Sequence, residues 1–303
     1  NLSTEEWLKI RTLGIGGSDA GIIAGCNPYR SIFELWQEKR GEIPVKEEES
    51  EVIHFGKVLE DVVRKEFIQR TGLMVRKKNS ILRSKEYPFM IADVDGIISE
   101  LDGTYSIFEA KTAIEFKNND WKNGEIPKVY QLQVQHYLAV TGFQKAYIAV
   151  LVGGNKFYWT EVYRDEQLIK MLVSMESHFW HCVREGEEPD MDASKATSLY
   201  LGAKYNNAKV GSVIDLDEQM LSSIEKYEQI KVELDSLTEQ KRLVENQLKS
   251  ALAENEAGRV GGHIVKWKPI VQTRIDSNKL KKEHKEIYDA CKKEVSYRKF
   301  SVA

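Results

Sequence analysis

Only three cysteines occur in 303 residues. Cys26, Cys182 and Cys291 lie too far apart for C-x-x-C metal spacing, and so sparse and odd a count argues against a disulfide framework. An iron–sulfur cluster needs four thiolates and is disfavoured for the same reason. The group His178, His181 and Cys182 in "HFWHC" has no distant partner pair, so helix packing is its expected role. No apolar run approaches bilayer length, and no charged start leads into an apolar run with a small-residue cleavage site. The expectation is a soluble, cytoplasmic protein with no membrane partner. A basic excess is missing as well. Lys and Arg number 44 against 47 Asp and Glu, so any grip on phosphates must be local. The glycine-rich stretch "RTLGIGGSDAGIIAGCNPYRS" lacks the lysine of a mononucleotide P-loop, because Gly17 is followed by Ser18 and Asp19.

What is present is ordinary globular material, 42% apolar and 30% charged, long enough for one large domain with an appendage or for two domains. "TEEWLKIRT" reads as a short helix capped by Ser3 or Thr4, and Ser18 is expected to cap a second. "SIFELWQEKRGEI" is a third helix, and "EVIHFGKVLEDVVRKEFIQRTG" an amphipathic fourth that ends on Gly72. Strands are expected in "MVRKKNSILRS", "FMIADVDGIIS", "TYSIFEAKTA", "KAYIAVLVGG" and "KFYWTEVYR", with the helix "PKVYQLQVQHYLAVTG" between the third and fourth. That order is a mixed α+β or α/β core. A further helix from about Asp165 to Gly186 closes it.

From Asp215 to Ala257 a helix without Gly or Pro carries Tyr227, Ile230, Leu234, Leu237, Lys241, Val244, Leu248 and Ala251 at alternating spacings of three and four. Such a seam is expected to pack on its own chain unless nothing else can cover it. The tail then reads as a hairpin, a short basic helix and a final strand. Its lysines, Lys279, Lys281, Lys282, Lys285, Lys292 and Lys293, are read as a solvated face, with contact to duplex DNA as the lesser alternative.

The segment that carries chemistry is "ADVDGIISELDGTYSIFEAKTA". Two β-rich runs flank "LDG", which fits a three-residue hairpin loop with Gly103 at the left-handed position. Centring the loop on Asp102 sets position 95 opposite 109, so Asp95, Glu109 and Lys111 share one face. A two-residue turn would shift this register by one. Two carboxylates a few ångströms apart repel unless a cation lies between them, and oxygen ligands select Mg²⁺ or Mn²⁺. Lys111 beside them can orient and deprotonate a water or stabilise charge on a phosphorane oxygen. A phosphodiester-hydrolysis centre is the functional reading; a surface hairpin with a cross-strand charge pattern is the bland one.

At these residues the chain resembles the PD-(D/E)xK nucleases, and within them the YqaJ-like and phage lambda exonuclease family. Asp95-Gly96 followed by Glu109-Ala110-Lys111 looks like the family's metal-binding Asp and its E-x-K pair. "FGKVLEDVVRKEF" resembles its helix with a metal-side glutamate, which lands on Glu60, and "VYQLQVQHYLAVTG" resembles its Y-x-x-Q-x-Q helix, with Tyr130, Gln133 and Gln135 beside the scissile phosphate. Arg11 and Ser18 stand at the spacing with which the family holds a terminal 5′-phosphate, and Trp7 precedes Arg11 by one helical turn. A helix N-terminus and an arginine fork are suited to such an anion. Trp7 is as readily a core residue as a stacking platform for the DNA end.

The resemblance implies a restriction-endonuclease-like core, a central mixed sheet flanked by helices, over residues 1–210. A coiled-coil-like arm (211–258) and a hairpin-helix-strand tail (259–303) follow, whose role the resemblance leaves open. It further implies a Mg²⁺-dependent exonuclease, with Mn²⁺ able to substitute, that resects linear double-stranded DNA from its 5′ end and leaves 3′ tails for recombination. Asp95 and Glu109 would hold the metal with Glu60 and the Ala110 carbonyl, Lys111 would activate the water and Gln133 would position it. A homotrimer, a single-strand annealing partner and a phage or prophage origin in a bacterial host are implied too. The alternative is a DNA-end-binding or assembly module that keeps the nuclease fold without exonuclease activity.

Overall fold

A computed structural model describes residues 4–44, 50–78, 80–293, 295 and 297–302. They fall into two compact units, Asn1–Tyr205 and Asn206–Ala303.

The first unit opens with α1 (Thr4–Thr12), α2 (Gly17–Ile23), α3 (Ile32–Lys39) and α4 (Glu51–Thr71). Ser3 and the side chain of Thr4, the expected caps of α1, lie outside the described residues. Ser31 caps α3 in a capping box with Glu34, and α4 runs from the Ser50 cap to Gly72, whose φ of 74° is the left-handed turn that glycine adopts without strain. Ser18 does not cap α2 as expected. The cap is Gly16, whose N–H donates to the Asp19 carboxylate, and Ser18 lies inside the first turn.

Strands β1 (Val75–Arg76), β2 (Leu82–Arg83), β3 (Ile91–Ala92), β4 (Gly96–Ser99) and β5 (Tyr105–Ala113) follow. A 3₁₀ segment (Glu115–Gly124) and α5 (Lys128–Thr141) lead to β6 (Lys145–Val152), β7 (Lys156–Tyr163), α6 (Glu166–Glu185) and α7 (Lys195–Lys204). The main sheet has the order β1-β4-β5-β6-β7, antiparallel except for the β5–β6 pair. That parallel pair needs a crossover, which α5 supplies. Ile107, Ile148 and Val150 pack with Val134, Tyr137 and Leu138 of α5 on one face; Phe108, Tyr147 and Ala149 pack with Val63 and Phe67 of α4 on the other. The run "AYIAVLV" is continuously apolar because both faces of β6 are covered.

The expected strand "MVRKKNSILRS" is divided: β1 pairs with β4, whereas β2 pairs with β3 in a separate two-stranded ladder. Between them Lys77 ion-pairs with Glu60 and Asp61. The 3₁₀ segment escaped the sequence reading because only Asn118 and Trp121 of its ten residues are buried and no period emerges.

The second unit holds α8 (Met220–Leu252), the hairpin β8 (Ala257–Val260) and β9 (His263–Lys266), α9 (Ser277–Glu283) and α10 (Lys285–Cys291). Residues 295 and 297–302 are not strand, contrary to the expectation for the tail. Among the described residues the seam of α8 packs on its own chain only at Tyr227, whose ring meets Phe300 edge-on at 5.6 Å; its middle does not. Leu234 is 57% and Leu237 59% exposed. No helix among the described residues is long and apolar enough to cross a membrane.

Candidate functional site

The β4–β5 hairpin sets Gly96 against Phe108 and Ser99 against Tyr105, with Gly103 at φ 84°. This is the register that the Asp102-centred loop requires, and it carries Asp95 opposite Glu109. Asp95 Oδ2 accepts from the Ala110 N–H at 2.8 Å. Glu109 Oε1 accepts from Lys111 Nζ at 2.5 Å and from Gln133 Nε2 at 2.8 Å. The same Gln133 nitrogen donates to the Tyr137 hydroxyl at 2.9 Å. Lys111 Nζ also lies 5.0 Å from the centroid of the Tyr130 ring, which stacks on Trp121. Asp95, Glu109, Lys111, Tyr130 and Gln133 are thus brought together on the α5 face of the sheet.

Burial and the neighbouring Glu109 push the Asp95 carboxyl up to about 8, and burial raises Glu109 as well. Burial alone would lower Lys111, but the Glu109 and Asp95 carboxylates outweigh it and hold the ammonium charged. Glu109 is 2% exposed, and its Oε2 is buried without a hydrogen-bond partner. A buried carboxylate oxygen left unpaired costs roughly 1–3 kcal/mol or more. A hard cation between Asp95 and Glu109 would relieve both the orphaned oxygen and the mutual repulsion, so the donor set fits Mg²⁺ or Mn²⁺.

Two expected members stand elsewhere. Glu60 lies on α4, which packs on the opposite face of the sheet, and its carboxylate ion-pairs with Lys77 at 3.3 Å. Among the described residues no group of three or more Asp, Glu, His or Cys side chains is arranged to hold a metal. The Glu60 charge is nonetheless felt at Asp95 and Glu109, whose carboxyls it helps to raise. Gln135 does not reach the cleft: it is 1% exposed, its Nε2 donates to the Tyr163 carbonyl at 2.7 Å and its Oε1 accepts from the Asp165 N–H at 3.0 Å. Both ends of its amide are spent joining α5 to the β7–α6 corner. From Ala110 the observed contact is its N–H, given to Asp95.

Arg11 and Ser18 do meet, with Arg11 Nη2 donating to Ser18 Oγ at 3.1 Å and reaching Asp19 Oδ1 at 3.4 Å. The guanidinium lies 4.9 Å from the centroid of the Trp7 ring. Trp7, Arg11, Gly16, Gly17 and Ser18 form one wall of a cleft of about 170 Å³, and Asp93, Asp95, Glu109 and Gln133 another.

Asp19, Lys39 and Asp93, at or behind this cleft, are not picked out by the sequence. Asp19 is fully buried and accepts from Lys39 Nζ at 2.7 Å, while the same ammonium donates to the carbonyls of Arg11 and Gly14, each at 2.7 Å. Burial would raise the Asp19 carboxyl, but Lys39 and Arg11 outweigh it and hold it far below the usual carboxylate range. This buried pair fixes the loop between α1 and α2. Asp93, exposed at the cleft, accepts the Trp7 indole N–H at 2.7 Å and so aims the ring. His136 is fully buried with Nδ1 on Glu176 at 2.9 Å and Nε2 donating to the Ile91 carbonyl at 2.9 Å, which ties α5 to β3 just before Asp93.

Two glycines of the opening stretch, Gly17 and Gly21, serve packing. A Cβ on Gly17 would stand 2.4 Å from Tyr137 Cε1, and one on Gly21 would stand 2.5 Å from Val129 Cγ2, so α2 rests directly on α5. Gly17→Ala is expected to displace the ring that holds Gln133 and to cost about 1–3 kcal/mol, a typical overpacking penalty. Urea denaturation would measure this, and an unchanged midpoint would show that Tyr137 yields freely.

A mixed sheet flanked by helices, with two convergent carboxylates and a lysine beside a helix N-terminus, places the chain in the fold class of the exonucleases. In agreement, a crystal structure of the alkaline exonuclease LHK-Exo from Laribacter hongkongensis superposes with a TM-score of 0.50 and 20% identity, over 60% of this chain and 94% of that one. The structure of LHK-Exo in complex with dAMP gives the same score and coverage at 21% identity. The sequence matches the YqaJ-like viral recombinase domain over residues 6–144 and is 43% identical to the uncharacterized protein YqaJ of Bacillus subtilis (strain 168), over 99% of this chain and 94% of that protein. The chain belongs to the YqaJ-like viral recombinase family.

Proposed function

We propose that the protein is a metal-dependent exonuclease that engages the 5′ end of linear double-stranded DNA and removes nucleotides from that strand, leaving a 3′ single strand for phage-type recombination. The observation that carries this reading is the cleft itself, which joins an arginine-serine wall suited to a terminal phosphate with Asp95 and Glu109, the latter bonded to Lys111. Mg²⁺, or Mn²⁺ in its place, would be held by Asp95 and Glu109, where it would neutralise phosphate charge and acidify a water.

The chain's own residues do the rest. Arg11 and the first N–H groups of α2 receive the terminal phosphate, and Ser18 adds a hydroxyl. Trp7, aimed by Asp93, offers a face on which a terminal base can stack. Gln133 keeps Glu109 Oε1 oriented while Tyr137 fixes Gln133. Lys111, held charged, donates to the attacked phosphate or orients the water rather than accepting a proton. Family resemblance further supports a ring-shaped homotrimer, a single-strand annealing protein as partner, and the cytoplasm of a phage- or prophage-bearing bacterium as its place of work.

A linear duplex labelled on either the 5′ or the 3′ terminus tests the reading. Mg²⁺ should release the 5′ label first as short products, and EDTA should stop the reaction. End binding with no digestion would instead support an assembly module.

The metal should also be visible in stability. Burial and Glu109 push the Asp95 carboxyl from its ordinary 3.8 up to about 8, so between those limits folding takes up a proton. Without metal, the stability this group gives is complete below the ordinary carboxylate range and is lost as pH rises toward 8. Below about 8 a cation must displace that proton. The rise in melting temperature produced by Mg²⁺ over EDTA is expected to grow from pH 6 to pH 8.5, and an equal rise at both would contradict the assignment of Asp95.

A further inference from the structure

The exposed seam of α8 asks for cover. The helix has 33 residues and is about 50 Å long. At its C-terminal end Leu252 is buried, and a Cβ on Gly258 of β8 would stand 2.9 Å from it, while at the other end the Phe300 ring meets Tyr227 edge-on at 5.6 Å, so both ends are partly covered and the seam from Ile230 to Leu248 is left open. Tyr227, Ile230, Leu234, Leu237, Val244 and Leu248 are between 40% and 59% exposed, a contiguous apolar stripe of the kind that marks an interaction surface.

We propose that two copies of this chain pair through α8 as an antiparallel coiled coil, about a twofold axis at the level of Glu239. The side chains along the seam choose the direction. A parallel in-register pair, or a parallel trimer, would set Lys241 against Lys241 inside the core and bring Lys226 alongside Lys231 of the second copy on both flanks. The antiparallel arrangement removes both conflicts. Tyr227 then meets the small Ala251 of the second copy, Ile230 meets Leu248, Leu234 meets Val244 and Leu237 meets Lys241, each pair occurring twice by symmetry. The methylenes of Lys241 cover Leu237 while its ammonium reaches water. On the flanks Lys231 faces Glu245 of the second copy, also twice, with Thr238 and Gln240 meeting their own counterparts near the axis. Apolar residues thus meet apolar ones or the methylenes of Lys241, and the one charged pair on the flanks is of opposite sign.

Cysteine cross-linking on the full chain, with the exposed Cys291 changed to serine, tests direction and register together. Leu234→Cys with Val244→Cys is expected to give a covalent dimer on non-reducing gels. A bridge within one helix is excluded, because ten residues span about 15 Å and a disulfide needs Cα atoms closer than about 7 Å. Leu234→Cys alone and Val244→Cys alone should remain single chains. Cross-linking of either single variant would mean a parallel pair and overturn the proposal. Absence of a bridge in the double variant would overturn it too and leave the seam to another protein's helix.

Charge reversal supplies the second readout, association measured by sedimentation. Lys231→Glu and Glu245→Lys should each weaken self-association several-fold, and together they should restore it. A double variant no better than the singles would count against the pairing. The cross-links report on α8 whatever association the first unit has of its own.

Discussion

Glu109→Gln is expected to abolish digestion of linear duplex, with a loss of at least about a hundredfold to a thousandfold, the scale on which a single electrostatic contributor to phosphoryl or acyl chemistry is lost. The amide keeps the volume of the buried side chain and can still accept from Gln133 and Lys111, so the fold should persist. What disappears is the anionic charge and the unpaired Oε2 that fits a cation. Binding of a 5′-phosphorylated end should be largely unchanged, because Arg11 and Ser18 lie on the other wall of the cleft. Nucleotide release and end binding measured on the same preparation separate the two effects. Substantial Mg²⁺-dependent release by the variant would remove Glu109 from the centre of the reaction, and loss of binding in step with release would make it a structural residue.

The parts of this site that could be read in the sequence are those set by short-range geometry. A three-residue loop around Asp102 leaves one register, and that register alone carries Asp95 to Glu109 and puts Lys111 on their face. Arg11 and Ser18 are similarly close in sequence, one at the end of α1 and one in the first turn of α2. Residues whose partners come from distant elements could not be placed. Asp19 and Lys39 form a buried ion pair across two helices, with no periodic pattern to announce it. Asp93 meets Trp7 across 86 positions of sequence.

Helix faces were the other source of error. Residues 132–138 of α5 are all buried, so amphipathic spacing gave no direction there, and Gln133 and Gln135 looked alike. Gln133 points to Glu109 and Gln135 to the β7–α6 corner. Spacing along α4 likewise could not say that the helix lies on the sheet face away from Glu109, which is why Glu60 was expected as a ligand and is found on Lys77. The seam of α8 is legible as a seam because its period repeats along the helix, whereas its period alone does not say whether the cover comes from its own chain.

Arg11→Ala is expected to erase a preference for 5′-phosphorylated over 5′-hydroxyl ends without lowering the rate on hydroxyl ends. Only a phosphorylated terminus presents an extra charged group to the wall formed by Arg11, Ser18 and the start of α2, and a charge-assisted contact of this kind contributes about 1.5–3 kcal/mol. At roughly 1.4 kcal/mol per factor of ten, the slowing on phosphorylated ends should lie between about tenfold and a little over a hundredfold. The substitution spares the scaffold: Asp19 retains Lys39 at 2.7 Å and the Gly16 N–H at 2.9 Å, so its buried charge is not left alone when the guanidinium goes. Trp7 retains its hydrogen bond to Asp93. The measurement is the ratio of initial rates on two duplexes that differ only in the 5′ group, for wild type and variant. Equal losses on both substrates would show that Arg11 supports the fold or grips the strand elsewhere, and a wild-type protein indifferent to the 5′ group would mean that the Arg11–Ser18 wall does not read the terminal phosphate.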